Sequence, residues 1–221
     1  MDNSNNRNLH GSAPDNSQLA LLLIDVINDF EFDEGAELLR EALPAAENIA
    51  RLKKRAEEAE IPVIYVNDNF GRWRSDFKKI VTHCLEDQVR GQPIAQLLAP
   101  KEEDYFVLKP KHSGFFSTTL DLLLEHLGVR TLIIVGFAGD NCVLFTANDA
   151  YMRDYELIIP ADCTASNKPD ENENALRQMQ KVLKADIRPA AEIDFTELGK
   201  ERLPGVRRPG AALGLILRDR G

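Results

Sequence analysis

Residues 131–142 read TLIIVGFAGDNC, and this stretch decides the fold of the chain. Residues 131–135 are apolar and rich in β-branched side chains, which predicts a buried strand closed by Gly136. Residues 143–153 carry apolar side chains at helical spacing, which predicts a helix. Cys142 then lies where a parallel strand ends and a helix begins. Because a helix N-terminus favours negative charge, we expect its thiol to ionise more easily than usual. The alternative is a small buried apolar residue, the commonest role of a free cysteine.

The composition is that of an ordinary globular protein. Of the 221 residues, 43% are hydrophobic and 29% are charged, and no change of composition divides the middle of the chain, which predicts one domain. The net charge of −9 disfavours nucleic-acid and anionic-membrane partners, since both need a basic surface. No apolar run approaches the roughly 20 residues of a membrane span, and no secretory leader is evident, so we expect a cytoplasmic protein. Three widely spaced cysteines without a CxxC motif indicate neither a disulfide framework nor a structural zinc site.

Strand and helix patterns alternate along the rest of the chain, which predicts a parallel sheet covered by helices on both faces. The predicted strands span residues 19–24, 62–66, 105–108 and 156–159, with a last short strand at 185–188, and the predicted helices span 35–60, 80–90, 118–127 and 170–184. We expect Pro44 to kink or split the first helix and residues 91–104 to form a connection. Neither a GxGxxG nor a P-loop motif is present, so nothing indicates a nucleotide site of either kind.

The two ends of the chain differ in composition from its middle. Residues 1–17 are polar and predict a flexible arm, residues 18–190 form the predicted domain, and residues 191–221 form a predicted C-terminal tail. The apolar residues 213–217 of that tail are a candidate for docking on a partner subunit.

Three chemically distinct side chains follow three predicted strands. Asp25 follows the first strand, Lys109 the third, and Cys142 lies just past the fourth. Because ligands of open α/β sheets bind outside the carboxyl ends of the strands, we expect these groups to face one crevice. A carboxylate, an ammonium and a thiol supply the base, charge stabiliser and nucleophile of covalent acyl transfer. Taken singly, Asp25 could equally cap a turn and Lys109 could be a solvated surface lysine.

A polar loop at residues 67–79, NDNFGRWRSDFKK, holds large aromatic and guanidinium groups. Arg72, Trp73 and Arg74 are candidates for substrate binding, because a pair of guanidinium groups favours a carboxylate and Trp73 could cover a planar part of a substrate. The alternative is that the aromatic groups pack on a neighbour and the arginines pair with Asp76 or with solvent.

Three motifs resemble those of the isochorismatase-like cysteine hydrolases, the superfamily of nicotinamidases and N-carbamoylsarcosine amidases. They are LLLIDVINDF at 21–30, VLKPKHSGF at 107–115, and residues 136–150 around Cys142, in the order of that family and within a resemblance that spans about residues 18–187. The resemblance implies a three-layer αβα sandwich with a mostly parallel, doubly wound sheet, and a homo-oligomer.

The same resemblance implies a catalytic triad with Cys142 as nucleophile, Asp25 as base and Lys109 as cationic partner. Lys111 competes with Lys109, which is preferred because the lysine of the family stands four residues before the serine that matches Ser113. The resemblance further implies a cis peptide bond before Ala138, whose amide N–H would join that of Cys142 in an oxyanion hole.

Phe30, at the end of the first motif, is a further candidate for substrate contact. The chain also departs from the family at several positions. Gly139 stands where threonine is common and Gly114 where alanine is common, so we expect a more open pocket floor. No histidine accompanies residues 67–69, where the nicotinamidase branch has metal ligands, so we expect no metal, no other cofactor and a substrate other than nicotinamide.

The thiol favours hydrolysis of a C–N bond in a small amide or ureido substrate. Two alternatives stay open at this point: a vinyl-ether hydrolase of the isochorismatase type, which would not depend on the thiol, and a non-catalytic binding or redox-sensing module with a reactive cysteine.

Overall fold

The computed structural model describes residues 17–71 and 76–198. Its centre is a six-stranded parallel sheet in the order β3-β2-β1-β4-β5, with a short sixth strand paired to β4. The strands are β1 (Leu19–Ile24), β2 (Val63–Asp68), β3 (Tyr105–Lys109), β4 (Thr131–Phe137), β5 (Glu156–Ile158) and β6 (Thr164–Ala165). The chain winds outward from β1 to β3 and then returns to the other side of β1, which confirms the doubly wound α/β fold.

Helices cover both faces of the sheet. They are α1 (Gly35–Glu58), α2 (Phe77–Glu86), α3 (Gln92–Leu97), α4 (Leu120–Leu127), α5 (Leu144–Tyr151), α6 (Pro169–Leu183) and α7 (Phe195–Leu198). One apolar cluster joins the sheet to α1, α2 and α3, and a second joins it to α4, α5 and α6.

Strand β1 shows why the sheet must be covered on both faces. Leu19, Leu21 and Leu23 belong to the first apolar cluster, whereas the alternate residues Ala20, Leu22 and Ile24 belong to the second. Side chains of a strand point alternately to opposite faces of the sheet. A strand that is apolar throughout is therefore shielded from water only when helices pack on both faces. All six residues are buried, as the sequence predicts.

Helix α1 runs without interruption through Pro44, so the expectation that this proline splits it is wrong. Pro44 lies on the exposed face, and so does Arg40, whose carbonyl loses its usual donor to the proline ring. Water can reach that carbonyl, while Ala42 and Ala46 on either side of the proline keep the buried face packed on the sheet. Tertiary packing therefore outweighs the local cost of the proline.

Three short elements differ from the predictions. Helix α3 lies inside the segment expected to be a connection, and its buried residues Ile94 and Ala95 hold it against the first apolar cluster. Strand β6 is only two residues long and has no sequence signature of its own. In place of a last strand at 185–188 the structure has a single bridge between Ile158 and Asp186.

Residues 190–198, the last of the described chain, pack on α1. Arg55 Nη1 donates to the carbonyl of Ala190 at 2.8 Å, and its guanidinium lies 5.3 Å from the ring centroid of Phe195. The predicted tail therefore begins with residues that contact the domain, whereas residues 199–221 and the predicted arm, except Ser17, lie outside the described residues. Within the described part, no helix is long and apolar enough to cross a membrane.

Gly136 in β4 provides a test of how closely the two central strands approach each other. Its φ is +123°, and a Cβ there would lie 2.1 Å from the carbonyl oxygen of Ile24 in β1. We expect Gly136→Ala to lower the free energy of unfolding by at least about 3 kcal/mol, because it adds both a backbone strain and an overlap. The measurement is urea denaturation followed by circular dichroism.

Gly71→Ala is the matched control, since Gly71 also has a positive φ, +68°, but no atom of the described residues lies within 4 Å of the added Cβ. Its cost should be about 1 kcal/mol. Equal stabilities of the two variants would contradict the packing argument.

Candidate active site

The three predicted strand-end groups meet at one end of the sheet. Asp25 follows β1, Lys109 ends β3 and Cys142 lies in the turn after β4. Lys109 Nζ is 2.8 Å from Asp25 Oδ2 and 3.5 Å from Cys142 Sγ. Because β1 and β4 are the neighbours at which the winding of the sheet reverses, this crevice is the place where a doubly wound fold binds its ligand. Lys109 is fully buried in this cluster, whereas Lys111 is exposed. Lys109 is therefore the better candidate for the cationic partner.

The end of β2 fixes Asp25 in place. Asp25 has a φ of +51°, and its Oδ1 accepts the backbone N–H of Asp68 at 2.6 Å. The buried side chain of Asn67 holds the next turn of this loop, since its Nδ2 donates to the carbonyl of Ile27 at 2.6 Å and its Oδ1 accepts the N–H of the same residue at 3.4 Å. Polar groups of β2 thus provide hydrogen-bond partners for the loop that follows β1.

Cys142 lies in a π-helical turn, Gly139–Val143, that leads from β4 into α5. The carbonyl of Ala138 accepts the N–H groups of Asn141 at 3.2 Å and Val143 at 3.1 Å. The peptide bond between Phe137 and Ala138 is cis. The thiol is half-buried, unlike those of Cys84 and Cys163, which are buried.

A threonine connects this turn with the loop that follows β3. Thr146 Oγ1 donates to the carbonyl of Cys142 at 2.7 Å and accepts the N–H of Gly114 at 3.0 Å. The second and third sequence motifs are therefore held together by one buried hydroxyl.

Burial and charge together set the protonation of the site. Burial raises the pKa of the Asp25 carboxyl, although Lys109 and the N–H of Asp68 act in the opposite direction. Burial and the nearby Asp25 carboxylate raise the pKa of the Cys142 thiol. Lys109 lowers this pKa, but its effect is smaller than theirs. Burial by itself lowers the pKa of the Lys109 ammonium. The nearby Asp25, Cys142 and Asp68 act in the opposite direction, and the pKa is raised overall. The structure thus differs from the expectation that Cys142 ionises more easily than usual, because burial and Asp25 raise the pKa of its thiol.

Asp68 is a third charged group of the site, and the sequence analysis assigns it no role there. Its Oδ2 is 3.4 Å from Lys109 Nζ, and its Oδ1 accepts the N–H of Phe70 at 2.6 Å. Strand β2 extends two residues beyond the predicted end at Val66, which brings Asp68 into register with Lys109 of β3. The signal that could have found it is a carboxylate two residues after the apolar run of a parallel strand.

Two expectations about the pocket are wrong. Phe30 is 0% exposed and packs in the first apolar cluster against Phe137, with ring centroids 6.3 Å apart, so it belongs to the core and not to the surface of a pocket. The glycines do not open the pocket floor either. A Cβ at Gly139 would lie 2.0 Å from Asn172 Oδ1, and one at Gly114 would lie 2.8 Å from a methyl group of Val66.

The candidate substrate residues Arg72, Trp73 and Arg74 lie outside the described residues. Among residues 17–71 and 76–198, no three histidine, cysteine, aspartate or glutamate side chains are placed to hold a metal ion together.

Comparisons with known proteins show the family to which the chain is similar. A family model described as the isochorismatase domain matches residues 19–188. The uncharacterized isochorismatase family protein YaaI of Bacillus subtilis is 49% identical over 168 residues, which cover 76% of this chain and 92% of that protein. A protein of Arabidopsis thaliana named a probable inactive nicotinamidase is 28% identical over 173 residues, covering 74% of this chain and 88% of its own.

Two further relatives have names that state an activity. The ureidoacrylate amidohydrolase RutB of Methylorubrum extorquens is 30% identical over 161 residues, covering 62% of this chain and 64% of its own. The crystal structure of N-carbamoylsarcosine amidase from Thermoplasma acidophilum superposes with a TM-score of 0.61 at 26% identity, covering 80% of this chain and 99% of that one. Both are similar proteins whose names refer to the cleavage of C–N bonds.

The buried ion pair yields a pH-dependent prediction. Lys109→Met leaves the Asp25 carboxyl buried without its cation, so we expect the free energy of unfolding at pH 7 to fall by about 3–5 kcal/mol. The pKa of Asp25 then rises further, and the folded state binds a proton that the unfolded chain releases above about pH 4. The loss of stability should therefore be largest at neutral pH and shrink as the pH falls toward 4. Urea denaturation between pH 4 and 7.5 measures it.

The double variant Asp25→Asn with Lys109→Met is the control, because it removes both charges together. It should be more stable at pH 7 than Lys109→Met alone. A single variant whose stability loss did not change with pH would show that the pair is not buried as described.

Proposed function

Because this chain belongs to the isochorismatase family of hydrolases, we propose that it cleaves the C–N bond of a small amide or ureido substrate through a thioester on Cys142. One observation carries the proposal: the ammonium of Lys109 lies 2.8 Å from the Asp25 carboxylate and 3.5 Å from the Cys142 sulfur. Relatives whose names refer to ureidoacrylate and carbamoylsarcosine hydrolysis support the choice of a C–N bond over a vinyl ether.

The first half of the proposed reaction forms the thioester. The Cys142 thiol hydrogen-bonds the carboxylate of Asp25, which takes its proton as the sulfur attacks the carbonyl carbon. The carbonyl electron pair moves to oxygen, and the amide N–H groups of Ala138 and Cys142 stabilise the resulting oxyanion. Losing one such donor typically costs a hundredfold or more in rate. When the C–N bond breaks, the amine or ammonia leaves with the proton from Asp25.

The second half releases the acid. Asp25, again a carboxylate, takes a proton from a water molecule that attacks the thioester, and the returning electron pair expels the Cys142 thiolate, which regains the proton. The raised pKa of Asp25 suits this role, because a carboxylate of higher pKa is a stronger base. Lys109 offsets the negative charge as it passes from carboxylate to sulfur and oxygen.

The experiment that tests this proposal is a small screen for ammonia release. The compounds are ureidoacrylate, N-carbamoylsarcosine and nicotinamide, with isochorismate assayed separately for ether cleavage. We expect turnover of a ureido compound, at least about a thousandfold less turnover with Cys142→Ala or Asp25→Asn, and an unchanged melting temperature for Cys142→Ala. The acid limb of the pH profile should lie above the ordinary aspartate value, because burial raises the pKa of Asp25.

Cys84→Ala is the matched control. It also removes a thiol, but this thiol is buried in the core and is well separated in sequence from the three triad residues. Its turnover should stay within about twofold of wild type. Amide hydrolysis that survives Cys142→Ala would contradict the proposal, and isochorismate cleavage that survives it would identify an ether hydrolase.

We further propose that Arg72 and Arg74 bind a carboxylate of the substrate and that Trp73 covers its planar part. Replacing either arginine by alanine should raise KM about tenfold or more for a substrate that bears a carboxylate, with a smaller effect on kcat, since a charge-assisted contact to the distant end of the substrate is lost. Steady-state kinetics with ureidoacrylate measure it. Wild-type KM in both variants would exclude the role.

A further inference from the structure

The proposed chemistry creates a charge problem at Lys109. Its ammonium is fully buried, and a buried charge is stable only when it is paired. In the resting site Asp25 is its nearest partner, at 2.8 Å. When Asp25 takes the thiol proton, this partner becomes neutral, and the negative charge moves through the sulfur to the oxyanion.

Asp68 is placed to keep the ammonium paired through this step. Its Oδ2 lies 3.4 Å from Lys109 Nζ, and it ends the strand that lies between the strands of Asp25 and Lys109. Its other oxygen is occupied by the N–H of Phe70. The Asp68 side chain is 30% exposed to solvent, whereas Asp25, the proposed proton carrier, is buried.

We propose that Asp68 is a positioning residue that holds the Lys109 ammonium beside Cys142 while Asp25 carries the thiol proton. This inference rests on the proposed function. No bond is made or broken at Asp68: one proton moves from sulfur to Asp25 and then to the leaving nitrogen, and Asp68 stays a carboxylate in every state.

The backbone and the side chain of Asp68 have separate tasks. Its N–H donates to Asp25 Oδ1 at 2.6 Å whatever the side chain is, so Asp68→Asn keeps the support of Asp25 and removes only the charge. Asp25 then becomes the sole anion on Lys109 and keeps its own charge to lower pH. The thiol also faces an ammonium that is no longer shared with Asp68, which favours the thiolate.

The turnover experiment compares Asp68→Asn, Asp68→Glu and Asp29→Asn in the full-length protein, with ureidoacrylate as the substrate. In Asp68→Asn we expect kcat to fall at least about tenfold with KM within about threefold, and the acid limb of kcat/KM to move down by about half a pH unit or more. Asp68→Glu should recover most of kcat, because the exposed side chain leaves space for a longer carboxylate.

Asp29→Asn is the matched control. Asp29 stands four residues after Asp25, but its carboxylate faces His83 at 3.2 Å and not the ammonium, so the variant removes the same charge near the same strand ends. Its kinetic constants and pH limbs should equal those of wild type.

Alkylation of Cys142 by iodoacetamide gives a second readout that needs no substrate. We expect the midpoint of the alkylation rate against pH to fall by about half a unit or more in Asp68→Asn and to stay unchanged in Asp29→Asn, as measured by mass spectrometry. The thiol would thus become more reactive while turnover falls, a combination that a general folding defect does not produce. Cys84 and Cys163, both buried, should remain unlabelled and report an intact core.

The outcomes separate this inference from the function on which it rests. If the alkylation midpoint of Asp68→Asn equalled that of Asp29→Asn, the role of Asp68 would be overturned, whether or not ureidoacrylate is a substrate. Turnover that survives Cys142→Ala would instead overturn the proposed function.

Discussion

The burial of one ammonium group is the constraint on which the site depends. Lys109 ends an outer strand of the sheet, yet its side chain is fully buried and reaches across β2 toward the ends of β1 and β4. Such a charge must have anions around it, because its removal from water costs several kcal/mol. Asp25 and Asp68 supply them, each from the end of a neighbouring strand. The charges of the site therefore depend on the order of the strands, since only parallel strands bring their carboxyl ends together in this way.

Burial and charge act together on the thiol of Cys142. Two carboxylates lie within 3.4 Å of the Lys109 ammonium, so its positive charge is already paired. Burial first, and then the charge of Asp25, raise the pKa of the thiol, and Lys109 does not reverse this. In the proposed reaction the sulfur becomes strongly nucleophilic only when Asp25 takes its proton, which ties the appearance of the thiolate to the presence of a carbonyl. A neutral thiol is also less open to oxidation than a permanent thiolate.

The sequence predicts the elements that depend on local pattern and misses those that depend on distant contacts. The apolar run of β1 and the polar groups after three strands are local features, and the structure brings Asp25, Lys109 and Cys142 together. Asp68 escapes prediction because the strand before it continues beyond its apolar run. The position of Phe30 at the end of a motif predicts a substrate contact, but its ring is enclosed by parts of the chain that no local pattern connects with it. The reversal of the thiol prediction has the same origin, since burial is a property of the whole fold.

The contact between Gly139 and Asn172 has a consequence for how this sequence can change over evolutionary time. Asn172 of α6 places its amide oxygen where a side chain at 139 would begin, and its amide nitrogen faces Thr164 at 3.3 Å. The two positions compete for one volume, so a side chain at 139 requires the Asn172 amide to turn away or residue 172 to become smaller. Substitutions at positions 139 and 172 are therefore coupled. A position 33 residues downstream thus influences which residues are tolerated three places before Cys142.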